Sequence, residues 1–326
     1  MNHRMWNSCV RGGITMLMGV GLSVVAAAQE SPQYAITKSV LDSNIPVDLI
    51  FVQTFDHIYT PIGVRKPPGD GPFPAVIMAS GNGDGAMPEV ERAVARHSRF
   101  MEEFVRAGYV AVYSQYRNEV PEAYNELPPA RDIGDSRGTR GPIIKSNPSL
   151  DSDDFVSIIE YVKALPYVDP EAVGVIGSSH GGELILKAAT QIDLAAGILG
   201  EPAAREILNV DISGEPQDGP LQFQDKNRVA SLANRAVAME RLRKIDTPIL
   251  FMGRASDHNQ GLFELTYDWL VEAGKDATWA SFDHPRHGYV FIRNQRDGSY
   301  RPDEIQQEAL EVMMEFLDRH LKHSGN

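Results

Sequence analysis

The chain has 326 residues, of which 42% are hydrophobic and 23% charged, the composition of an ordinary globular protein long enough for one large domain. Proteins that bind nucleic acid need a basic surface, so the formal net charge of −13 argues against that class of protein.

The amino terminus predicts a secretory signal peptide over 1–28. Arg4 and Arg11 give it a positive start, an apolar run covers 14–25, and three alanines precede the expected cleavage site. A membrane anchor is the alternative, but the run is shorter than the roughly 20 residues that span a bilayer. We therefore expect an exported protein, periplasmic or extracellular, that makes no contact with the membrane after cleavage.

Strand and helix patterns alternate along the remainder, 29–326. Segments rich in β-branched and aromatic residues predict strands within 35–66. Short apolar runs then predict buried strands at 75–79, 109–113, 173–176, 195–199, 249–252 and 278–282. Helical spacing of apolar residues predicts helices between them, at 90–105, 155–165, 184–189 and 305–321. This alternation predicts a single α/β domain with a mostly parallel central sheet and helices on both faces.

Two long connections interrupt the alternation, 118–150 and 203–245. Long connections in compact domains are usually functional, and both should cross the carboxyl edge of the sheet, where such folds bind ligands. The second is a candidate cap or insert with a helix around 232–242. Asp151 or Ser152 is expected to cap the helix that follows the first connection.

The strongest chemical signal is the sequence Gly-Ser-Ser-His-Gly-Gly at 177–182. It matches G-x-S-x-G at the point where a predicted strand ends and a predicted helix begins. A strained turn of this kind exposes the central hydroxyl, so Ser179 is the candidate nucleophile. The His180 amide is then placed to donate to an oxyanion.

A serine nucleophile needs a base, and in this type of fold the order along the chain is serine, acid, histidine. Asp257 lies in the loop after the strand at 249–252 and is the candidate acid. His287 lies in the loop after the last strand and is the candidate base, with His284 as the alternative.

The second oxyanion donor should come from the Gly-rich loop at 80–85, after the first buried strand. The Asn82 amide is our choice, followed by that of Gly83, because glycines let the backbone approach a substrate closely. Asp84 stands alone there, and one carboxylate does not make a metal site. We expect neither a metal nor a cofactor.

With these loops assigned, the chain resembles the dienelactone hydrolase and prolyl oligopeptidase branch of the α/β-hydrolases. The likeness runs from about 73 to about 321, and its motifs lie at 71–76, 107–110, 165–170 and 173–177. The resemblance implies the α/β-hydrolase fold and hydrolysis through an acyl-enzyme without a cofactor. The chain departs from the branch in having serine where dienelactone hydrolases have a cysteine nucleophile.

Three functions compete. The first is hydrolysis of a carboxylic ester, and the second is cleavage of a short peptide or amide with the same three residues. The third is a non-catalytic binding protein on a hydrolase fold. An acidic substrate is a further hypothesis, since arginine binds carboxylates in a bidentate manner. The candidate cations lie at or near the first long connection: Arg117, Arg131, Arg137 and Arg140.

Overall fold

The computed structural model describes residues 35–79, 86–116, 135–136, 143–144, 150–212 and 223–322. Eleven strands lie in this part of the chain, and their bounds are β1 (Ile36–Lys38), β2 (Val47–Gln53), β3 (Tyr59–Arg65), β4 (Phe73–Ala79), β5 (Val110–Ser114), β6 (Asp135–Ser136), β7 (Ile143–Ile144), β8 (Val168–Ser178), β9 (Ala196–Gly200), β10 (Ile249–Gly253) and β11 (Ala277–Ser281). The helices of the same ranges are α1 (Ala86–Arg96), α2 (Ser98–Arg106), α3 (Leu150–Lys163), α4 (His180–Ala188), α5 (Lys226–Leu232), α6 (Arg235–Leu242), α7 (Gln260–Glu272) and α8 (Glu304–Leu321).

Nine of the strands form one sheet in the order β1-β2-β3-β5-β4-β8-β9-β10-β11. The first three strands are antiparallel to their neighbours, and every pairing from β5 to β11 is parallel. The predicted mostly parallel sheet is confirmed. Because β8, β9, β10 and β11 are parallel neighbours, the loops that follow them meet at one edge of the sheet.

Helices cover both faces, which explains the continuous apolar runs of the central strands. Val76 and Ile77 are adjacent, both fully buried, and belong to different core clusters. One cluster packs α1, α2 and α8 against the sheet, and the other packs α3, α4, α5, α6 and α7 against the opposite face. A strand buried on both faces cannot alternate polar and apolar residues.

The structure corrects three local expectations. The helix predicted around 232–242 begins at Arg235, because Asn234 accepts a hydrogen bond from the Val237 amide and starts α6, whereas Leu232 ends the separate helix α5. The run over 90–105 is likewise divided, with His97 between α1 and α2. Neither Asp151 nor Ser152 caps α3, since that helix already begins at Leu150.

A search of the described helices found none that is both long enough and apolar enough to cross a membrane. The proposed signal peptide lies outside the described residues.

Candidate active site

The nucleophile motif forms a sharp turn between β8 and α4. Ser179 has φ 54° and ψ −118°, and a non-glycine residue in such a conformation costs about 1–3 kcal/mol. A Cβ at Gly177 would lie 2.6 Å from the backbone of Gly181, so the turn closes only around a glycine. Ser179 is partly exposed, whereas Ser178 is buried. Of the two serines, Ser179 is therefore the one that solvent reaches, which the predicted role of nucleophile requires.

Asp257 follows β10 and is fully buried. One carboxylate oxygen accepts a hydrogen bond from the Asn259 amide at 2.8 Å, and the other accepts one from Arg254 Nε at 2.9 Å. Burial opposes ionisation of the carboxyl group, but the hydrogen bonds from His287 and Asn259 outweigh it and lower the pKa of Asp257. The group is thus an anion at neutral pH.

His287 follows β11, and its Nδ1 donates to Asp257 Oδ2 at 2.8 Å. Burial disfavours the imidazolium, but the hydrogen bond to Asp257 and the charges of Glu201 and Asp257 raise the pKa of His287. Its Nε2 is buried and has no hydrogen-bond partner among the residues that the structure describes. Since the carboxylate holds Nδ1 as the donor, Nε2 is the nitrogen that can accept a proton.

The alternative base, His284, has different partners. Its Nε2 lies 3.0 Å from a carboxylate oxygen of Asp303, and its Nδ1 accepts a hydrogen bond from the Arg286 amide. The ring is buried and stacks on Tyr289 at 5.2 Å between centroids. The structure therefore pairs His287, and not His284, with Asp257.

The loop of the base lies directly against the nucleophile turn. Gly288 has φ 73°, a left-handed conformation that suits glycine. A Cβ added there would lie 3.3 Å from the hydroxyl oxygen of Ser178, the residue before the nucleophile. The predicted nucleophile and base therefore come from turns in contact with each other at the carboxyl edge of the sheet.

Glu201 and Arg254 are site residues that the sequence reasoning missed. Glu201 follows β9, is fully buried, and lies within hydrogen-bond distance of the Gly288 amide and the Ser178 hydroxyl. Arg254 Nε lies 3.5 Å from Glu201 Oε1 and also binds Asp257. Their positions immediately after strands of the parallel sheet were the available signal, since ligands bind at that edge.

His180 is the first residue of α4, and its side chain pairs with the Asp151 carboxylate. Its ring also lies edge-on to Tyr116, at 6.4 Å between centroids. The donation of its amide to an oxyanion stays a prediction. The other predicted donor, Asn82, lies outside the described residues, as does Gly83, and the same holds for the candidate cations Arg117, Arg131, Arg137 and Arg140.

One group in the described part of the chain has the spacing of a metal site. Asp257, His258 and His287 each offer a ligand atom, and these atoms lie within 4.8 Å of one another. His258 Nδ1 is 3.5 Å from Asp257 Oδ1, and its side chain is 41% exposed. Burial lowers the pKa of His258, which favours the neutral imidazole that binds metals. A cation there would compete with the pairing of Asp257 and His287.

Comparison with known proteins decides the family. The family model described as "Prolyl oligopeptidase family" matches residues 142–324, a range that contains Ser179, Asp257 and His287. The chain belongs to the prolyl oligopeptidase family. Its fold is accordingly that of the α/β-hydrolases, and the resemblance expected from the sequence is confirmed. A search of curated proteins found no match.

Solved structures similar to this prolyl oligopeptidase family member include both peptidases and esterases. Acylaminoacyl peptidase of Pyrococcus horikoshii is 20% identical, with a TM-score of 0.55 over 87% of this chain and 43% of that one. The chain thus spans less than half the length of that peptidase. The acetyl xylan esterase of Paenibacillus sp. R4 is 15% identical, with a TM-score of 0.57 over 90% of this chain and 91% of that one. An esterase of Thermogutta terrifontis is 19% identical, with a TM-score of 0.52 over 84% and 94%. These likenesses show a shared fold.

Proposed function

We propose that the protein hydrolyses carboxylic esters of small molecules through an acyl-enzyme, with Ser179 as nucleophile, His287 as base and Asp257 as the acid that orients it. The observation that carries the proposal is the state of His287. Its Nδ1 is held by a buried carboxylate, while its buried Nε2 has no partner among the described residues and its loop lies against the nucleophile turn. An imidazole held in this way is prepared to take a proton.

The steps follow from these positions. Ser179 Oγ attacks the ester carbonyl carbon as its proton passes to His287 Nε2, and the carbonyl oxygen becomes an oxyanion. The amides of His180 and Asn82 are the proposed donors to that oxygen. Collapse of the intermediate expels the alcohol, which takes the proton from His287 and leaves the acyl group on Ser179. A water molecule, deprotonated by His287, then releases the acid and restores the serine.

Ester hydrolysis is preferred to peptide cleavage because of the pattern of structural likeness. The esterases from Paenibacillus sp. R4 and Thermogutta terrifontis are matched over 91% and 94% of their chains, whereas the acylaminoacyl peptidase is matched over 43%. Cleavage of a short peptide or amide is the second candidate, and the prolyl oligopeptidase family model favours it. The three proposed catalytic residues serve both reactions, since both transfer an acyl group to serine.

We also propose export to the periplasm or the cell exterior, which rests on the pattern of residues 1–28. The measurement is the mass of the amino-terminal peptide of the protein recovered from a secretion-competent host. Cleavage near residue 28 supports the proposal, and an intact amino terminus on a cytosolic protein contradicts it.

Two measurements test the catalytic proposal. A fluorophosphonate should label the protein covalently, and mass spectrometry should map the adduct to Ser179. Matched ester and amide substrates with the same acyl group should then give a higher kcat/KM for the ester. Labelling at another residue would overturn the assignment of the nucleophile, and a higher kcat/KM for the amide would favour the peptidase.

A further inference from the structure

Glu201 connects the nucleophile turn with the loop of the base. Its carboxylate accepts hydrogen bonds from the Gly288 amide, at 3.2 and 3.3 Å to the two oxygens, and from the Ser178 hydroxyl at 3.4 Å. Gly288 directly follows His287, and Ser178 directly precedes Ser179. A single buried side chain thus binds one chain neighbour of the proposed base and one of the proposed nucleophile.

The backbone at Glu201 is held in an unusual conformation. Its φ is 42°, in the left-handed region that non-glycine residues seldom adopt, and its amide lies 3.4 Å from the carbonyl oxygen of Met252 on the neighbouring strand. Such strain persists where the surroundings fix the residue, and it clusters at functional sites. The turn that carries Glu201 is therefore fixed on β9 and β10, on the same edge as the proposed catalytic residues.

Three charged groups face the carboxylate. Arg254 and Asp257 come from the loop after β10, and His287 comes from the loop after β11. Among the described residues, Tyr289 also lies nearby, with its hydroxyl donating to a backbone carbonyl of β10, and His258 lies 4.5 Å from His287 between ring centroids. Burial raises the pKa of Glu201 to about 7, with His287 opposing this effect and Asp257 adding to it.

We propose that Glu201 is a positioning residue that ties the loop of His287 to the nucleophile turn, and that its negative charge shares with Asp257 the stabilisation of the His287 imidazolium. The inference rests on the proposed function, because the imidazolium forms only if His287 takes the proton of Ser179.

The charges explain why a second carboxylate matters. Arg254 binds Asp257 at 2.9 Å, so a positive charge already offsets the acid that orients the base. With Asp257 alone, the imidazolium that forms during attack would lack a net opposite charge nearby. Above about pH 7, where Glu201 is ionised, it supplies this charge, and the group of Glu201, Asp257, Arg254 and His287 passes from a net charge of about −1 to neutral as the proton arrives.

The test compares Glu201→Gln with the unchanged full-length protein. Glutamine keeps the size of the side chain and can accept from the Gly288 amide, but it carries no charge. The readout is the second-order rate constant of inactivation by a fluorophosphonate, measured between about pH 5 and 9, where a histidine base titrates. This probe reacts with the activated serine and needs no knowledge of the natural substrate.

We expect Glu201→Gln to slow inactivation by roughly tenfold at pH 8. The acidic limb of the pH profile, where the rate constant rises as His287 loses its proton, should move to lower pH. The limb moves because the charge that favours protonated His287 is gone. Glu201→Asp restores the charge and should return the limb toward that of the unchanged protein. Should Glu201→Gln fail to fold, we compare Glu201→Asp with Asp257→Asn. The acidic limb should stay at the same pH in Glu201→Asp and move to lower pH in Asp257→Asn.

Glu183→Gln is the matched control. Glu183 lies on α4, is buried, and has a pKa that burial likewise raises to about 7, but it accepts from the amides of Glu206 and Ile207. Its replacement should leave the acidic limb in place. An unchanged limb and rate in folded Glu201→Gln, or an equal shift in Glu183→Gln, would overturn the inference. Absence of any labelling of the unchanged protein would instead overturn the proposed function.

Discussion

The buried carboxyl group of Glu201 should make the stability of the protein depend on pH in a way that one substitution removes. Burial raises its pKa from the ordinary value of 4.5 to about 7. Between these two pH values the folded protein keeps the proton that the unfolded chain has lost. The free energy of unfolding therefore falls as the pH rises through this interval, and the loss is complete above about pH 7.

The size of the effect follows from the interval. About 2.5 pH units separate the two pKa values, and each unit corresponds to about 1.36 kcal/mol, which gives a loss of ~3 kcal/mol. Glu201→Gln cannot lose a proton and has no such loss. The free energy of unfolding of the variant, minus that of the unchanged protein, should therefore rise by ~3 kcal/mol between about pH 4.5 and pH 8.

Urea unfolding of both proteins at a series of pH values measures this difference. Taking the difference cancels the titrations that the substitution leaves unchanged, including that of Glu183, while the lower pKa expected for His287 in the variant changes the difference in the same direction. Glu240→Gln is the control, because the Glu240 side chain is 74% exposed and stays in water in both states. Parallel stability curves for Glu201→Gln and the unchanged protein would refute the reasoning, as would a difference that falls with pH.

The remaining predictions concern the reaction. Ser179→Ala should abolish turnover and fluorophosphonate labelling while leaving the unfolding transition in place, and near-normal activity or an adduct on Ser178 would reject the assignment. His287→Ala should lower kcat/KM by several orders of magnitude and His284→Ala only mildly, and the opposite ranking would move the base. The kcat/KM should rise with pH, with a midpoint above the ordinary histidine value of 6.5, because the base must be neutral and its pKa is raised; a flat profile with rate-limiting chemistry contradicts this. A chelator should leave activity unchanged. Added zinc should lower activity, because it would occupy ligand atoms of Asp257 and His287, and it should lower activity less in His258→Ala. Activity that a chelator removes and metal restores would refute the metal-free mechanism.

The sequence predicted the strands and the pairing of acid and base because those depend on local patterns and on order along the chain. Runs buried on both faces marked the strands of the parallel sheet. The order of serine, acid and histidine selected Asp257 and His287, and the structure places Asp257 Oδ2 2.8 Å from His287 Nδ1. The start of α6 was placed near 232 instead of after Asn234 because apolar residues lie on both sides of Asn234, while the cap that starts the helix is a single polar side chain.

Glu201 could not be selected from the sequence, because its role depends on contacts with residues far away along the chain. Gly288 is 87 positions from it and Ser178 is 23 positions away. A glutamate after a strand is ordinarily a solvated loop residue, and only the packing of the base loop onto the turn shows that this one is buried. Burial of that carboxylate destabilises the folded protein at neutral pH, yet the same position sets its charge beside the imidazole that must become positive. Glu201 thus lowers the stability of the folded protein near neutral pH while it favours protonation of His287, as a residue kept for function does. Replacing a residue kept only for folding would instead lower the stability of the protein at every pH.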